Sequence, residues 1–130
     1  MDLITVTRQS GLAFTVRLRE HQLTTDMSVA EGGQDAGPNP VELRGAACGA
    51  CLGIMVQTFC NEHGYTDGDV GVSLTLELED GPKRVVALVA DVELPAGVPE
   101  DARDELRALA RQFPIPATLE GRPRVDIDFV

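Results

Sequence analysis

Cys48-Gly49-Ala50-Cys51 is the segment whose residue types and spacing can do chemistry. Cys-x-x-Cys serves as half a zinc site, as a thioredoxin-type redox pair, or as one reactive thiol with a helper. A tetrahedral zinc site needs four ligands, and Cys60, His63 and His21 are the remaining candidates. Cys60 lies nine residues beyond Cys51, about 180° round the same helix, and cannot turn to the same metal. The thioredoxin arrangement opens a helix after a parallel strand. Here the pair falls two to three turns inside a helix, behind strands that read as antiparallel. Both uses are set aside. Two readings stay open: a reactive thiol, or three cysteines acting as small buried hydrophobes.

Neighbouring charges bear on that choice. On a helical wheel Arg44 lies about 40° from Cys48 and about 20° from Cys51, so the three share a stripe. A guanidinium beside a thiol favours the nucleophilic thiolate. Arg44 precedes Cys51 by seven residues, about 10 Å of rise, and equally suits a first-turn arginine facing solvent or an acid. Glu42 could orient an arginine at the thiol, yet a first-turn acid is also what the helix dipole favours. His21 and His63 stand in polar, turn-like contexts with no partner at a recognisable spacing, and neither takes a role. Gly32-Gly33 precedes a helix but lacks the Lys and Ser/Thr of a phosphate-binding loop.

The elements that must hold these residues can be read along the chain. Leu3–Thr7, Leu12–Arg19 and Leu23–Asp26 are rich in β-branched or alternating residues, with turns at 9–11 and 20–22, and predict an antiparallel meander. Residues 31–40 are a Gly- and Pro-rich loop. Asn39 as N-cap and Pro40 at the first helical position then open a helix that runs to His63 and stops at Gly64. From Leu43 to Phe59 this helix is apolar nearly all round, which predicts burial. Gly45, Gly49 and Gly53 form a stripe where another backbone could approach. Val70 to Leu78 alternate strictly, Asp80-Gly81-Pro82 turns, and Arg84–Leu94 returns as a hairpin strand. An amphipathic helix from about Pro99 to Phe113 and a closing strand over 123–130 complete the order βββ-α-ββ-α-β. That order predicts one α+β domain over residues 1–130.

Composition narrows the partners. The chain has 130 residues, 11 basic against 21 acidic, and a net charge of −10. Such a balance excludes the Lys/Arg clusters that nucleic acid or an anionic membrane requires. Aromatics make up only 4%, too few for a base- or sugar-stacking platform. No apolar run reads as a membrane span, and Met1 to Thr7 carries no leader pattern. Three cysteines, two of them three residues apart, do not suit a secreted disulfide framework, so a cytoplasmic location is expected.

Three stretches carry a resemblance. His21-x-Leu23-x-x-Asp26, then Gly32 to Leu43 (GGQDAGPNPVEL), then Ala46-Ala47-Cys48-Gly49-Ala50-Cys51 resemble the OsmC/Ohr family of osmotically induced and organic hydroperoxide resistance proteins. The resemblance implies an intertwined homodimer whose long central helices pack inside sheets shared by both chains. It implies a thiol peroxidase without a cofactor, in which Cys51 occupies the peroxidatic position and becomes a sulfenic acid. A second cysteine would resolve it as a disulfide, and an external dithiol reductant would restore both thiols. The sequence departs from the family pattern at two points. Phe113 stands where the resolving cysteine is usual, and the family's glutamate falls on Glu42, one residue late. The activating arginine could be Arg8, Arg17, Arg19 or Arg44. Within the resemblance, Cys48 could replace the resolver if the helix unwinds locally at Gly49. The alternative is a catalytically silent dimer that binds a small apolar ligand between its subunits, with Phe113 as apolar wall.

Overall fold

Ile4–Ser10, Ala13–Leu18 and His21–Thr25 (β1, β2 and β3) pair as an antiparallel meander in the computed structural model, which describes residues 2–81, 83–121 and 123–130. Val6 faces Val16, which faces Leu23, while Ile4 faces Leu18, so one surface of the sheet is apolar. That surface is not the buried one. Ala13 and Thr15 are the buried residues of β2, whereas Ile4 and Val6 remain more than half exposed. His21 and Gln22, expected in a turn, already pair with Leu18 and Arg17. The turn is shorter because Arg19 takes a left-handed φ of +50° and reverses the chain within two residues.

After β3 the chain is organised by Asp26. Its carboxylate accepts hydrogen bonds from the backbone N–H of Met27 (2.7 Å), Gln34 (3.1 Å) and Ala36 (3.2 Å). Thr25 donates its hydroxyl to the Pro38 carbonyl at 2.8 Å, so the loop is tied down on both sides of Gly37. A Cβ at Gly33 would collide with the Met27 carbonyl, and one at Gly37 with the Thr24 carbonyl. Glycine is required there by close approach of the backbone.

The loop delivers the chain into α1, Pro40–His63. Asn39 and Glu42 form a reciprocal capping box: the Asn39 N–H donates to Glu42 Oε2 (2.8 Å) and the Glu42 N–H to Asn39 Oδ1 (2.9 Å). At the far end Gly64 adopts φ +74°, with Tyr65 N–H donating to the Cys60 carbonyl and Gly64 N–H to that of Asn61. This Schellman closure ends the helix at the predicted residue.

Gly71–Glu79 (β4) and Arg84–Glu93 (β5) form the hairpin, with Val72 opposite Val92 and Leu76 opposite Leu88. Pro82 of the expected turn lies outside the described residues. The glycine stripe of α1 lies on this hairpin. A Cβ at Gly45 would stand 3.2–3.3 Å from Leu76 and Leu74, and Cβ atoms at Gly49 and Gly53 would meet Val72 at 3.9 and 3.6 Å. Side chains of a strand, rather than another backbone, fill the stripe. Glu100–Ala110 (α2) joins the hairpin on the same side of α1, and the core gathers Met55, Val56, Phe59 and Cys60 of α1 with Val98, Ala102 and Leu106.

Three expectations need correction. The central helix is only partly buried: Ala46, Ala47 and Ala50 are exposed and Ile54 is 68% exposed, because β4 and α2 cover one side of it alone. By length and composition this helix could also cross a membrane, so the reading that no segment reaches that size does not hold for it. Its contacts with β4 are those of a core helix. Lastly, residues 123–130 belong to no helix or strand among the described residues, and Pro114–Glu120 forms a short helix (α3) before them. Proline at its first position favours that turn of helix. A strand without a neighbouring edge has no ladder to join. The chain divides into two compact units, one ending at Arg44 and the other beginning at Gly45. Its class is α+β, in the order β1-β2-β3-α1-β4-β5-α2-α3.

Candidate thiol site on the central helix

Cys48 and Cys51 follow the capping box by two to three turns of a regular α-helix, and both are free thiols. Their environments differ. Cys48 is buried at 5% exposure on the side that faces the core, while Cys51 is half-buried and reachable. Burial pushes the Cys48 thiol above the usual range, and a charge on Cys51 pushes it further. The pair is asymmetric: Cys51 is half-buried, while Cys48 is buried and desolvation raises its thiol.

Cys60 is fully buried, and desolvation raises its thiol as well. It belongs to the core with Met55 and Phe59, as the small-hydrophobe reading describes for one of the three cysteines. Among the described residues no group of three or more His, Cys, Asp and Glu side chains could hold a metal ion.

Glu42 is exposed, and its carboxylate is occupied at the cap of α1, more than two turns before Cys51. Arg44 is exposed in the second turn of the same helix. Arg8 donates from Nε to the Gly11 carbonyl (2.9 Å) and Arg17 from Nε to Gln22 Oε1 (3.0 Å), while Arg19 forms the β2–β3 turn. All of these except Glu42's cap contact leave the guanidinium or carboxylate exposed on the N-terminal unit.

Phe113 is half-buried and packs against the core cluster that contains Met55, Val56 and Phe59. An aromatic ring, not a thiol, therefore follows α2. His63, left without a role by its spacing, stacks on Phe59 (centroids 4.0 Å apart) and donates from Nδ1 to the Phe59 carbonyl at 2.8 Å. It closes the end of α1 and adds nothing to the thiols. Asp26 is the residue whose importance only the structure reveals. Burial raises its pKa, but the three backbone N–H donors outweigh that effect and hold the carboxyl below the usual range. The sequence showed Asp26 as an acid just ahead of a glycine-rich loop and as part of the motif that carries the resemblance, but not what its carboxylate binds.

Comparison with known proteins adds to this geometry. The family model described as "OsmC-like protein" matches residues 32–128. Several solved structures share the fold. A candidate osmotic stress induced and detoxification response protein of Psychrobacter arcticus 273-4 superposes with a TM-score of 0.82 at 15% identity, over 91% of this chain and 88% of that one. An OsmC-like protein of Mycoplasma pneumoniae gives 0.78 at 16% identity, over 93% and 88%. An organic hydroperoxide resistance protein OsmC of Legionella pneumophila gives 0.64 at 20% identity, over 93% and 90%. Identities this low speak for the fold alone. No curated protein matches the chain.

Proposed function

Because the chain belongs to the OsmC-like protein family, we propose that it is a thiol-dependent peroxidase that reduces organic hydroperoxides, with Cys51 as the peroxidatic residue. The observation that carries this reading is the asymmetry of the Cys48–Cys51 pair: the half-buried Cys51 sits one helical turn from the buried Cys48. The substrate class proposed is the one in the name of a neighbour of the same fold, an organic hydroperoxide resistance protein.

The Cys51 thiolate attacks the terminal oxygen of the hydroperoxide. The O–O bond breaks, sulfur is oxidised to sulfenic acid, and the alkoxide takes a proton and leaves as the alcohol. With Phe113 at the end of α2, Cys48 is the nearer resolving thiol. Its sulfur attacks the sulfenic sulfur, the hydroxyl leaves as water with the Cys48 proton, and a Cys48–Cys51 disulfide forms. An external dithiol then reduces the disulfide by exchange. A regular helix does not bring sulfurs at i and i+3 into disulfide geometry, so this step opens the turn at Gly49. Gly49 has room for that, since its nearest neighbour beyond the helix is Val72 at 3.9 Å from a would-be Cβ.

The test is intact mass after one equivalent of cumene hydroperoxide, with remaining thiols alkylated and mapped. Loss of the Cys51 thiol, as a bridge to Cys48 or as a sulfenic acid trapped by dimedone, is the expected result. Three thiols still alkylated after excess peroxide would end the peroxidase reading. Cys51→Ser should lower peroxide consumption by about a thousandfold or more, as removal of a nucleophile does.

A further inference from the structure

Cys48 and Cys51 stand at i and i+3 of the regular helix α1, and both are free thiols. Cβ atoms so placed are about 5–6 Å apart. A disulfide needs a Cβ separation of about 3.5–4.5 Å and a sulfur–sulfur bond of about 2.05 Å, so the closed helix holds the pair too wide for a direct bridge. The same spacing suits a cation between the sulfurs. Two metal–thiolate bonds of about 2.3 Å, the length found with zinc, reach sulfurs up to about 4.6 Å apart. No helical hydrogen bond has to break for that. The two sulfurs are within electrostatic reach, since a charge on Cys51 acts on the Cys48 thiol.

Donor number and donor type select the cation. Among the described residues no third His, Cys, Asp or Glu joins the pair, which leaves zinc short of its tetrahedron. Cys60 belongs to the core cluster and is fully buried there. Soft thiolates favour Cu(I), a closed-shell ion that two of them satisfy in a near-linear arrangement. An entry path is present. Cys51 is half-buried, and Ala47 and Ala50 beside it are exposed and carry only methyl groups. Cys48, one turn away, is buried, so a cation that arrives at Cys51 is held on its inner side by a sulfur removed from water.

We propose that the closed turn from Cys48 to Cys51 is a two-thiolate site for Cu(I). On binding, two S–H bonds give way to two S–Cu bonds and two protons pass to the solvent. Copper stays monovalent, so no oxidant or reductant is consumed. The binding itself does not depend on the peroxidase reading. Where Cys51 is also the peroxidatic thiol, bound copper occupies its sulfur, and peroxide turnover should fall in step with loading; that consequence alone rests on the reading above.

Anaerobic titration of the reduced full chain with Cu(I), in competition with bathocuproine disulfonate, tests the site. One Cu(I) per chain is the expected stoichiometry, and Zn(II) at the same concentration should not displace it. Cys48→Ser and Cys51→Ser should each weaken Cu(I) by about a hundredfold or more, whereas Cys60→Ala should bind like the parent. Gly49→Ala separates the copper site from the disulfide. It keeps the turn closed, so Cu(I) affinity should stay within about twofold of the parent's. Parental affinity in Cys48→Ser or Cys51→Ser, displacement by Zn(II), one Cu(I) per two chains, or loss of Cu(I) binding in Gly49→Ala would each overturn the proposal. The two readings of the pair fail separately. Absence of Cu(I) binding beside normal oxidation of Cys51 by cumene hydroperoxide would end the copper site alone, and intact Cu(I) binding beside a Cys51 inert to peroxide would end the peroxidase alone.

Discussion

At the scale of single residues, the proposed chemistry gives the two cysteines of the Cys-x-x-Cys segment separable roles. Cys48→Ser should leave the first attack on peroxide intact but remove the disulfide, so that a sulfenic acid accumulates at Cys51 and dimedone labels it. Peptide mapping would show this directly; a bridge persisting in the variant would mean that another thiol resolves Cys51. Spacing alone placed the pair on one helix. It could not say which thiol is buried, because that depends on β4, β5 and α2 covering one side of α1 and not the other. Asp26 makes a second prediction. Its carboxyl is held below the ordinary value in the folded chain, so the folded state gains stability from its ionised form. That gain is complete above about pH 4, the unfolded carboxyl range, and is lost as pH falls through the lower folded value. Asp26→Asn should therefore destabilise the chain at neutral pH and flatten the acid limb of its stability curve. Denaturant melts between pH 2 and 7 would check it. A parent and a variant with parallel acid limbs would show that the three backbone donors do not depend on the charge.

At the scale of elements, the start and stop of α1 were legible because caps are local chemistry. Asn39, Pro40, Glu42 and Gly64 act through neighbours no more than a few residues away, and each does what its position predicts. The same capping box allows Glu42 to be tested. Glu42→Gln keeps an N3 acceptor for the Asn39 N–H, whereas Glu42→Ala loses it and should cost about 1 kcal/mol. Peroxide turnover preserved in the Gln variant would confine Glu42 to the cap; turnover lost there, with the melting temperature unchanged, would give its charge a part in the chemistry. The glycine stripe was legible as a stripe but not as to what fills it. Its contacts predict opposite outcomes at two positions. Gly49→Ala finds only Val72 at 3.9 Å and should stabilise the helix by about 0.5–1 kcal/mol. Gly45→Ala would push on Leu74 and Leu76 at 3.2–3.3 Å, so the gain in helix propensity should be cancelled or reversed. If the turn at Gly49 opens during disulfide formation, Gly49→Ala should also slow the appearance of the Cys48–Cys51 bridge while leaving the first oxidation of Cys51 unchanged. A rate of bridging equal to the parent's would show that this turn does not move.

At the scale of the whole molecule, the elements were legible and their packing was not, because a helix apolar on every side states that it must be covered without stating by what. In one copy of the chain the cover is incomplete. Ile54 on α1, Ile4 and Val6 on β1, and the alternating Val125, Ile127 and Phe129 are all more than half exposed. The terminal trio has the periodicity of the expected closing strand and no strand partner among the described residues, so no strand forms there. Apolar surface on a helix, on a sheet and on an alternating terminal segment is what a homodimer would bury, and we propose that the functional unit is one. Its mass should then be twice 13.9 kDa across the micromolar range in sedimentation equilibrium. Ile54→Glu should weaken association, because it sets a charge on an apolar face. Ile127→Glu should do so by a different route, removing alternation from the terminal segment. If the dimer completes the peroxidase site, both variants should lose peroxide turnover in proportion to the monomer formed, and raising protein concentration should restore it. A chain that is monomeric at all concentrations yet fully active would refute the dimer and confine the chemistry to the single helix that carries Cys48 and Cys51.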